Sequence, residues 1–182
     1  MKTLERVLKN RLLNARKIAI LGIGSEFRCD DAAGVLVAEQ LAGDRLPGEF
    51  EVFIGASAPE NLSGEIKRFK PTHLVIIDSA DSGKKAGAIS LIDTEEVKGI
   101  SFSTHRLPIK IMSDYLIQSI GCQITILGIQ PKKLDFGSDI SKEVRKSTEK
   151  ISAALKKILK INNGARHGLE APGLLPQDKI ND

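Results

Sequence analysis

Two acidic residues follow a glycine turn near the start of the chain, where a nucleotide-binding protein would present backbone amides. An apolar run ends at Gly22-Ile-Gly24, and the chain then continues to Asp30 and Asp31. A strand that ends in Gly-x-Gly before a helix commonly offers free N–H groups to a phosphate. Here Phe27 occupies the place of the third glycine of a dinucleotide fingerprint, and the two carboxylates would repel a pyrophosphate. The pattern therefore argues against a nucleotide site.

The acidic residues have a structural and a functional interpretation. Asp30 can cap the helix that follows, and Asp31 gains from the helix dipole in the first turn. One cap satisfies the geometry, so Asp31 can instead project beyond the end of the strand. Asp78 ends a second apolar run, Leu74-Val-Ile-Ile. A charge at that position must fix a loop by hydrogen bonds, be solvated or paired, or bind a cation.

His105 is the third candidate, in the polar segment Ser103–Pro108 before a predicted helix. An isolated loop histidine is usually structural, but this segment can reach the same sheet edge as Asp31 and Asp78. Two carboxylates and one imidazole make a mixed oxygen and nitrogen site that suits a borderline divalent metal. Cysteine nucleophilic catalysis is less attractive, because the neighbouring acidic residues oppose formation of a Cys29 thiolate.

Aliphatic runs alternate with amphipathic helical patterns and must position these side chains. Strands are predicted at residues 17–21, 51–54, 73–77 and 123–129, with a shorter edge strand at 88–92. Helices are predicted at residues 3–14, 32–41, 61–69, 107–120 and 140–159, with Asp139 as the candidate cap of the last. This alternation predicts a single-domain α/β fold, a three-layer αβα sandwich around a mostly parallel twisted sheet. Such sheets carry their chemistry beyond the carboxyl ends of the strands.

Length and composition narrow the class of protein. The 182 residues suit one domain, predicted over residues 1–161 with an extra helix at 1–15 and a flexible tail at 162–182. Aromatic residues make up 4% and tryptophan is absent, so base-stacking contacts with nucleic acid are not expected. The net charge of +4 fits either solvated helix faces or a surface for an acidic partner.

The cellular setting is also expected from the sequence. The two cysteines, Cys29 and Cys122, show no spacing typical of a disulfide framework or a zinc site, which favours a reducing cytoplasm. No export signal is visible, and no apolar stretch approaches the roughly 18 residues that a membrane span needs. We therefore expect a cytoplasmic protein without membrane insertion, of unknown oligomeric state.

Several ordered segments together resemble the [NiFe]-hydrogenase maturation endopeptidases, in particular the branch serving hydrogenases of the formate-hydrogenlyase type. They are GIGSEFRCDDAAG at 22–34, GASAPEN at 55–61, VIIDSADSG at 75–83, STHRLP at 103–108 and LGIQP at 127–131. The resemblance implies an αβα sandwich and an aspartic-type endopeptidase with Asp31 and Asp78 as catalytic residues. It also implies nickel binding by Asp31, Asp78 and His105.

The resemblance further implies the substrate and the cofactor. The partner would be the large-subunit precursor of a [NiFe] hydrogenase, whose C-terminal extension is removed. Nickel would be delivered by that substrate, and other divalent metals can substitute for it. A nickel-dependent escort that binds the precursor without cutting it is the alternative function.

Overall fold

The computed structural model describes residues 4–44, 49–92, 101–102 and 106–167, with the backbone alone at 101–102, 106–108 and 162–167. The strands are β1 (Ile18–Ile23), β2 (Phe50–Ala56), β3 (His73–Asp81), β4 (Ile89–Ile92), β5 (Ser101–Phe102) and β6 (Gln123–Ile129). The helices are α1 (Leu4–Arg11), α2 (Ala33–Ala42), α3 (Ser63–Phe69), α4 (Arg106–Ile120) and α5 (Lys142–His167). Short 3₁₀ helices, Cys29–Ala32 and Pro59–Leu62, precede α2 and α3.

The sheet has the order β2-β1-β3-β6-β4, and β5 pairs with the end of β3. The first four strands of this order run parallel to one another, whereas β4 runs antiparallel to β6 at the edge. This topology confirms the predicted mostly parallel sheet and its edge strand. Because β1 and β3 are adjacent and parallel, the segments that follow them leave the sheet at the same edge.

Two apolar cores lie on opposite faces of the sheet. On one face α1, α2 and α5 pack their buried side chains, including Leu8, Val37 and Leu155, against the strands. On the other face α3 and α4 contribute Ile66 and Leu116. All residues of β1 are buried, and their nearly continuous aliphatic character follows from this covering on both faces. The predicted three-layer sandwich is confirmed.

The long helix α5 departs from its predicted limits. It begins at Lys142, and the Ser141 hydroxyl accepts a hydrogen bond of 3.4 Å from the Val144 N–H, so the prediction of Asp139 as the cap was wrong. The helix continues to His167, into the segment predicted as a tail. The rest of that segment lies outside the described residues. None of the described helices has the length and apolar content needed to cross a bilayer.

Glycines allow α2 to approach the sheet very closely beside the ends of β1 and β3. A Cβ atom on Gly34 would lie 2.1 Å from the Ile77 carbonyl oxygen and 2.4 Å from that of Ile23. A Cβ atom on Gly22 would lie 2.3 Å from the Gly34 carbonyl oxygen. These are backbone atoms that cannot move independently, so side chains at these positions would force the helix away from the strands. The two glycines thus set the distance between the helix and the sheet.

We expect Gly34→Ala to lower the free energy of unfolding by about 2 kcal/mol or more, because overpacking against backbone outweighs the gain in helix propensity. Gly64→Ala is the matched control, since a Cβ atom there meets nothing within 4 Å. The control should gain up to about 1 kcal/mol. Urea denaturation measures both, and equal stabilities of the two variants would contradict the close approach.

Candidate active site

Asp31 and Asp78 lie at the carboxyl edge of two adjacent parallel strands. Asp31 belongs to the 3₁₀ helix that follows β1, and Asp78 lies in β3, which continues past its predicted end at residue 77 to Asp81. The side chains are buried, with relative exposures of 1% for Asp31 and 0% for Asp78. Their mutual charge interaction is strong enough to perturb the ionisation of Asp78. The structure therefore brings together two of the three predicted site residues.

Ser79 hydrogen-bonds to both carboxylates. Its backbone N–H donates to Asp78 Oδ1 at 2.7 Å, and its hydroxyl donates to Asp31 Oδ1 at 3.3 Å. The other Asp31 oxygen, Oδ2, accepts the Ser25 N–H at 3.1 Å. Sequence reasoning missed Ser79. The available signal was its position, directly after the aspartate that ends an aliphatic run. In the structure Ser79 is only 1% exposed.

Asp78 carries an uncompensated charge when ionised. Burial and the neighbouring Asp31 carboxylate raise the pKa of Asp78 well above its usual value, and the Ser79 N–H opposes the shift only in part. Asp78 Oδ2 is buried and has no hydrogen-bond partner among the described residues. An acceptor left in this state favours either a proton or a cation at that oxygen.

His105 lies outside the described residues, so its predicted role as a ligand stays a prediction. The described segments on either side are β5 and α4, and Phe102 of β5 pairs with Ala80 of β3, two residues beyond Asp78. Within the described part of the chain, no group of three or more histidine, cysteine or acidic side chains is arranged to hold a metal. Asp31 and Asp78 by themselves thus provide an incomplete ligand set.

Asp30 has a structural role different from the predicted helix cap. Its side chain makes no capping hydrogen bond to the following helix. Instead Oδ2 accepts the backbone N–H groups of Lys132 and Lys133 at 2.8 and 3.0 Å, and Oδ1 accepts that of Ser141 at 2.6 Å. The capping prediction was therefore wrong, and Asp30 holds the segment between β6 and α5 against the site.

Gln130 fixes the segment that follows β3. Its Oε1 accepts the N–H groups of Ser82 and Lys84 at 2.8 and 3.2 Å, and its Nε2 donates to Asp81 Oδ1 at 3.0 Å. Asp81 also accepts the Gly83 N–H at 3.1 Å, a hydrogen bond typical of a turn. The hydrogen bond from Gln130 and, to a smaller extent, that from Gly83 lower the pKa of Asp81. Gln130 is thus a supporting residue of the site edge.

Both cysteines are buried and free. Burial raises the pKa of Cys122 to about 11, so its thiol is neutral near pH 7 and is a poor nucleophile. Cys122 is thus a core residue.

Asp30→Asn and Asp31→Asn should affect stability differently. Asparagine at position 30 turns an amide donor toward backbone N–H groups that need an acceptor, and we expect a loss of about 1–3 kcal/mol in the free energy of unfolding. Asparagine at position 31 removes the repulsion between Asp31 and Asp78, so the loss in the free energy of unfolding should be smaller. Urea denaturation of both variants checks this, and a larger loss at position 31 would contradict the assignment of Asp30 as the anchor.

Asp78→Asn should stabilise the metal-free protein increasingly as the pH rises. Because the folded-state pKa of Asp78 is raised, its protonation favours the folded state, and that stability is lost as the pH rises through the folded pKa. Asparagine retains an acceptor for the Ser79 N–H without the charge. Thermal unfolding in the presence of a chelator should therefore show a difference between variant and wild type that grows as the pH rises above about 4, the ordinary pKa of an aspartate. A difference independent of pH would refute this electrostatic account.

Comparisons with known proteins identify the family of this chain. The family model described as hydrogenase maturation protease matches residues 35–161. A protein of Methanocaldococcus jannaschii, provisionally named a hydrogenase maturation protease, is 38% identical over 86% of this chain and 96% of its own length. The hydrogenase 3 maturation protease of Escherichia coli is 33% identical over 72% of this chain and 84% of its own length.

A solved structure gives the same assignment. The crystal structure of the [NiFe] hydrogenase maturation protease HycI from Thermococcus kodakarensis superposes with a TM-score of 0.78 at 31% identity, covering 85% of this chain and 99% of that one. The chain therefore belongs to the family of hydrogenase maturation proteases, which are endopeptidases.

Proposed function

We propose that this protein removes the C-terminal extension of a nickel-loaded [NiFe]-hydrogenase large-subunit precursor and recognises the nickel of that substrate. The observation that carries the proposal is the buried pair of Asp31 and Asp78, with Asp78 Oδ2 lacking a partner among the described residues. The names of the relatives supply the class of substrate, since they are maturation proteases of hydrogenases, in one case of a [NiFe] hydrogenase.

A cation supplied by the substrate would relieve the repulsion between the ionised carboxylates of Asp31 and Asp78. Each carboxylate offers oxygen to a divalent ion, and His105 is the proposed third ligand because imidazole suits nickel. Only three residues separate Phe102, which is paired with β3, from the first residue of α4. A precursor without nickel would leave the two carboxylates repelling each other, so it would bind more weakly.

Peptide hydrolysis requires proton transfer as well as a correctly positioned scissile bond. The oxygen of a water molecule attacks the scissile carbonyl carbon, the C–N bond breaks, and the departing nitrogen takes up a proton. In this proposal one of the two buried carboxylates, Asp31 or Asp78, accepts the proton of the water and returns it to the nitrogen. Binding through the nickel would hold the scissile bond beside these groups and so lower the entropic cost of the reaction. We place this reaction in the cytoplasm.

The test is cleavage of purified large-subunit precursor, with and without nickel, followed by mass spectrometry. We expect the wild-type protein to shorten only the nickel-loaded precursor. Asp31→Asn, Asp78→Asn and His105→Ala should each slow cleavage by at least about 100-fold, as expected for loss of a catalytic or ligand group.

Asp44→Asn is the matched control, because Asp44 is half-exposed and pairs with Lys156 away from the carboxylate pair. This variant should cleave at the wild-type rate. Equal cleavage of nickel-free precursor would contradict recognition through nickel, and normal cleavage by Asp78→Asn would contradict the site. A stable complex with precursor of unchanged mass would instead identify the protein as an escort.

A further inference from the structure

Two phenylalanines stand exposed beside the candidate active site. Phe136 is 89% exposed and Phe27 is 69% exposed, the two highest values for large apolar side chains among the described residues. Isolated exposed apolar residues are common on protein surfaces. These two differ because they lie on neighbouring loops whose backbones are hydrogen-bonded to each other. We call this pair the phenylalanine platform.

The loops that carry the platform are held firmly together. The Gly137 N–H donates to the Phe27 carbonyl at 2.8 Å, and the Cys29 N–H donates to the Gly137 carbonyl at 2.7 Å. The Arg28 guanidinium donates to the Leu134 carbonyl at 3.3 Å. These bonds pin the backbone of each phenylalanine, so their exposure is not explained by a loosely held loop.

The same loops support the candidate catalytic residue Asp31. Phe27 shares its turn with Ser25, whose N–H donates to Asp31. On the other loop, the N–H groups of Lys132 and Lys133 donate to Asp30, the neighbour of Asp31 in sequence. The platform is therefore continuous with the site through short backbone connections.

We propose that the phenylalanine platform is a docking surface for the polypeptide of the precursor and holds an apolar side chain of it near the scissile bond. This inference rests on the proposed function, which requires a protein substrate at the carboxylates. An extended peptide that reaches Asp31 must pass close to the loops that support it. Two exposed aromatic side chains on a held backbone at such a place suit binding, since aromatic side chains supply large contact areas at low entropic cost.

The size of the platform favours a substrate over a second copy of this chain. Two phenylalanine side chains bury about 300–500 Å² together. A stable protein–protein interface needs about 800 Å² on each partner. The platform is therefore too small to hold a dimer by itself, but it suffices as an anchor for a polypeptide already held at the carboxylates.

The test is a double variant, Phe27→Ser with Phe136→Ser, compared with the wild type against nickel-loaded large-subunit precursor. Its Kd and KM should rise about tenfold or more, whereas kcat and the melting temperature should stay near the wild-type values. The double leucine variant should retain most of the affinity. Leu13→Ser is the matched control, because Leu13 is 65% exposed and precedes the amino end of β1, at the opposite edge of the sheet.

Each other outcome overturns the inference. An unchanged Kd in the serine variant, with cleavage intact in the wild type, would remove the docking surface but leave the proposed function standing. A fall in kcat alone would make the phenylalanines part of the chemical step. Conversion of a wild-type dimer to a monomer by the serine variant, with Kd for precursor unchanged, would make the platform a self-interface. Failure of the wild-type protein to bind the precursor at all would overturn both proposals.

Discussion

The repulsion between two buried carboxylates is the constraint on which the site depends. Asp31 and Asp78 are excluded from solvent at the same edge of the sheet, and the described residues give them few hydrogen bonds. A purely structural pair would be expected to find more donors, because uncompensated buried charge is costly. Asp30, adjacent in sequence, shows what such satisfaction looks like, with three backbone donors on its carboxylate. The contrast is sharpest with Asp78, whose Oδ2 has no partner among the described residues, and it separates the structural carboxylate Asp30 from the candidate site.

Asp30, whose carboxylate is fully hydrogen-bonded, supports the backbone of the candidate site. By accepting N–H groups from the segment after β6, Asp30 holds that segment against the 3₁₀ helix in which Asp31 lies. Gln130 does the same for the segment that follows β3. The site edge is therefore built from chain segments that hydrogen bonds hold in place, so that the backbone around the two repelling charges is supported from both sides. Preorganisation of this kind lowers the cost of bringing charged groups and substrate together.

Close packing behind the site is the second structural requirement. Gly34 lets α2 contact the carbonyl oxygens of β1 and β3, and this keeps the start of the helix close to the ends of those strands. The Gly-x-Gly turn that resembled part of a nucleotide site has the same kind of explanation. A Cβ atom on Gly24 would lie 1.7 Å from the Asp31 carbonyl oxygen, and Gly24 has φ +136°. The glycines at this turn thus make room for the backbone that carries Asp31.

The sequence by itself determined the layered α/β fold and the sheet edge at which Asp31 and Asp78 lie. Aliphatic and amphipathic periodicity are local patterns, and the ends of parallel strands share one edge of the sheet. It gave Asp30 a structural role and Asp31 a place in the site, but it named the wrong partners for Asp30, since the true ones are more than 100 residues away along the chain. Nor did it find Ser79, whose importance comes from hydrogen bonds to two carboxylates, one in β3 and one in the 3₁₀ helix after β1. Only the tertiary structure decided these roles, because hydrogen-bond satisfaction in a buried site depends on which distant segments meet there.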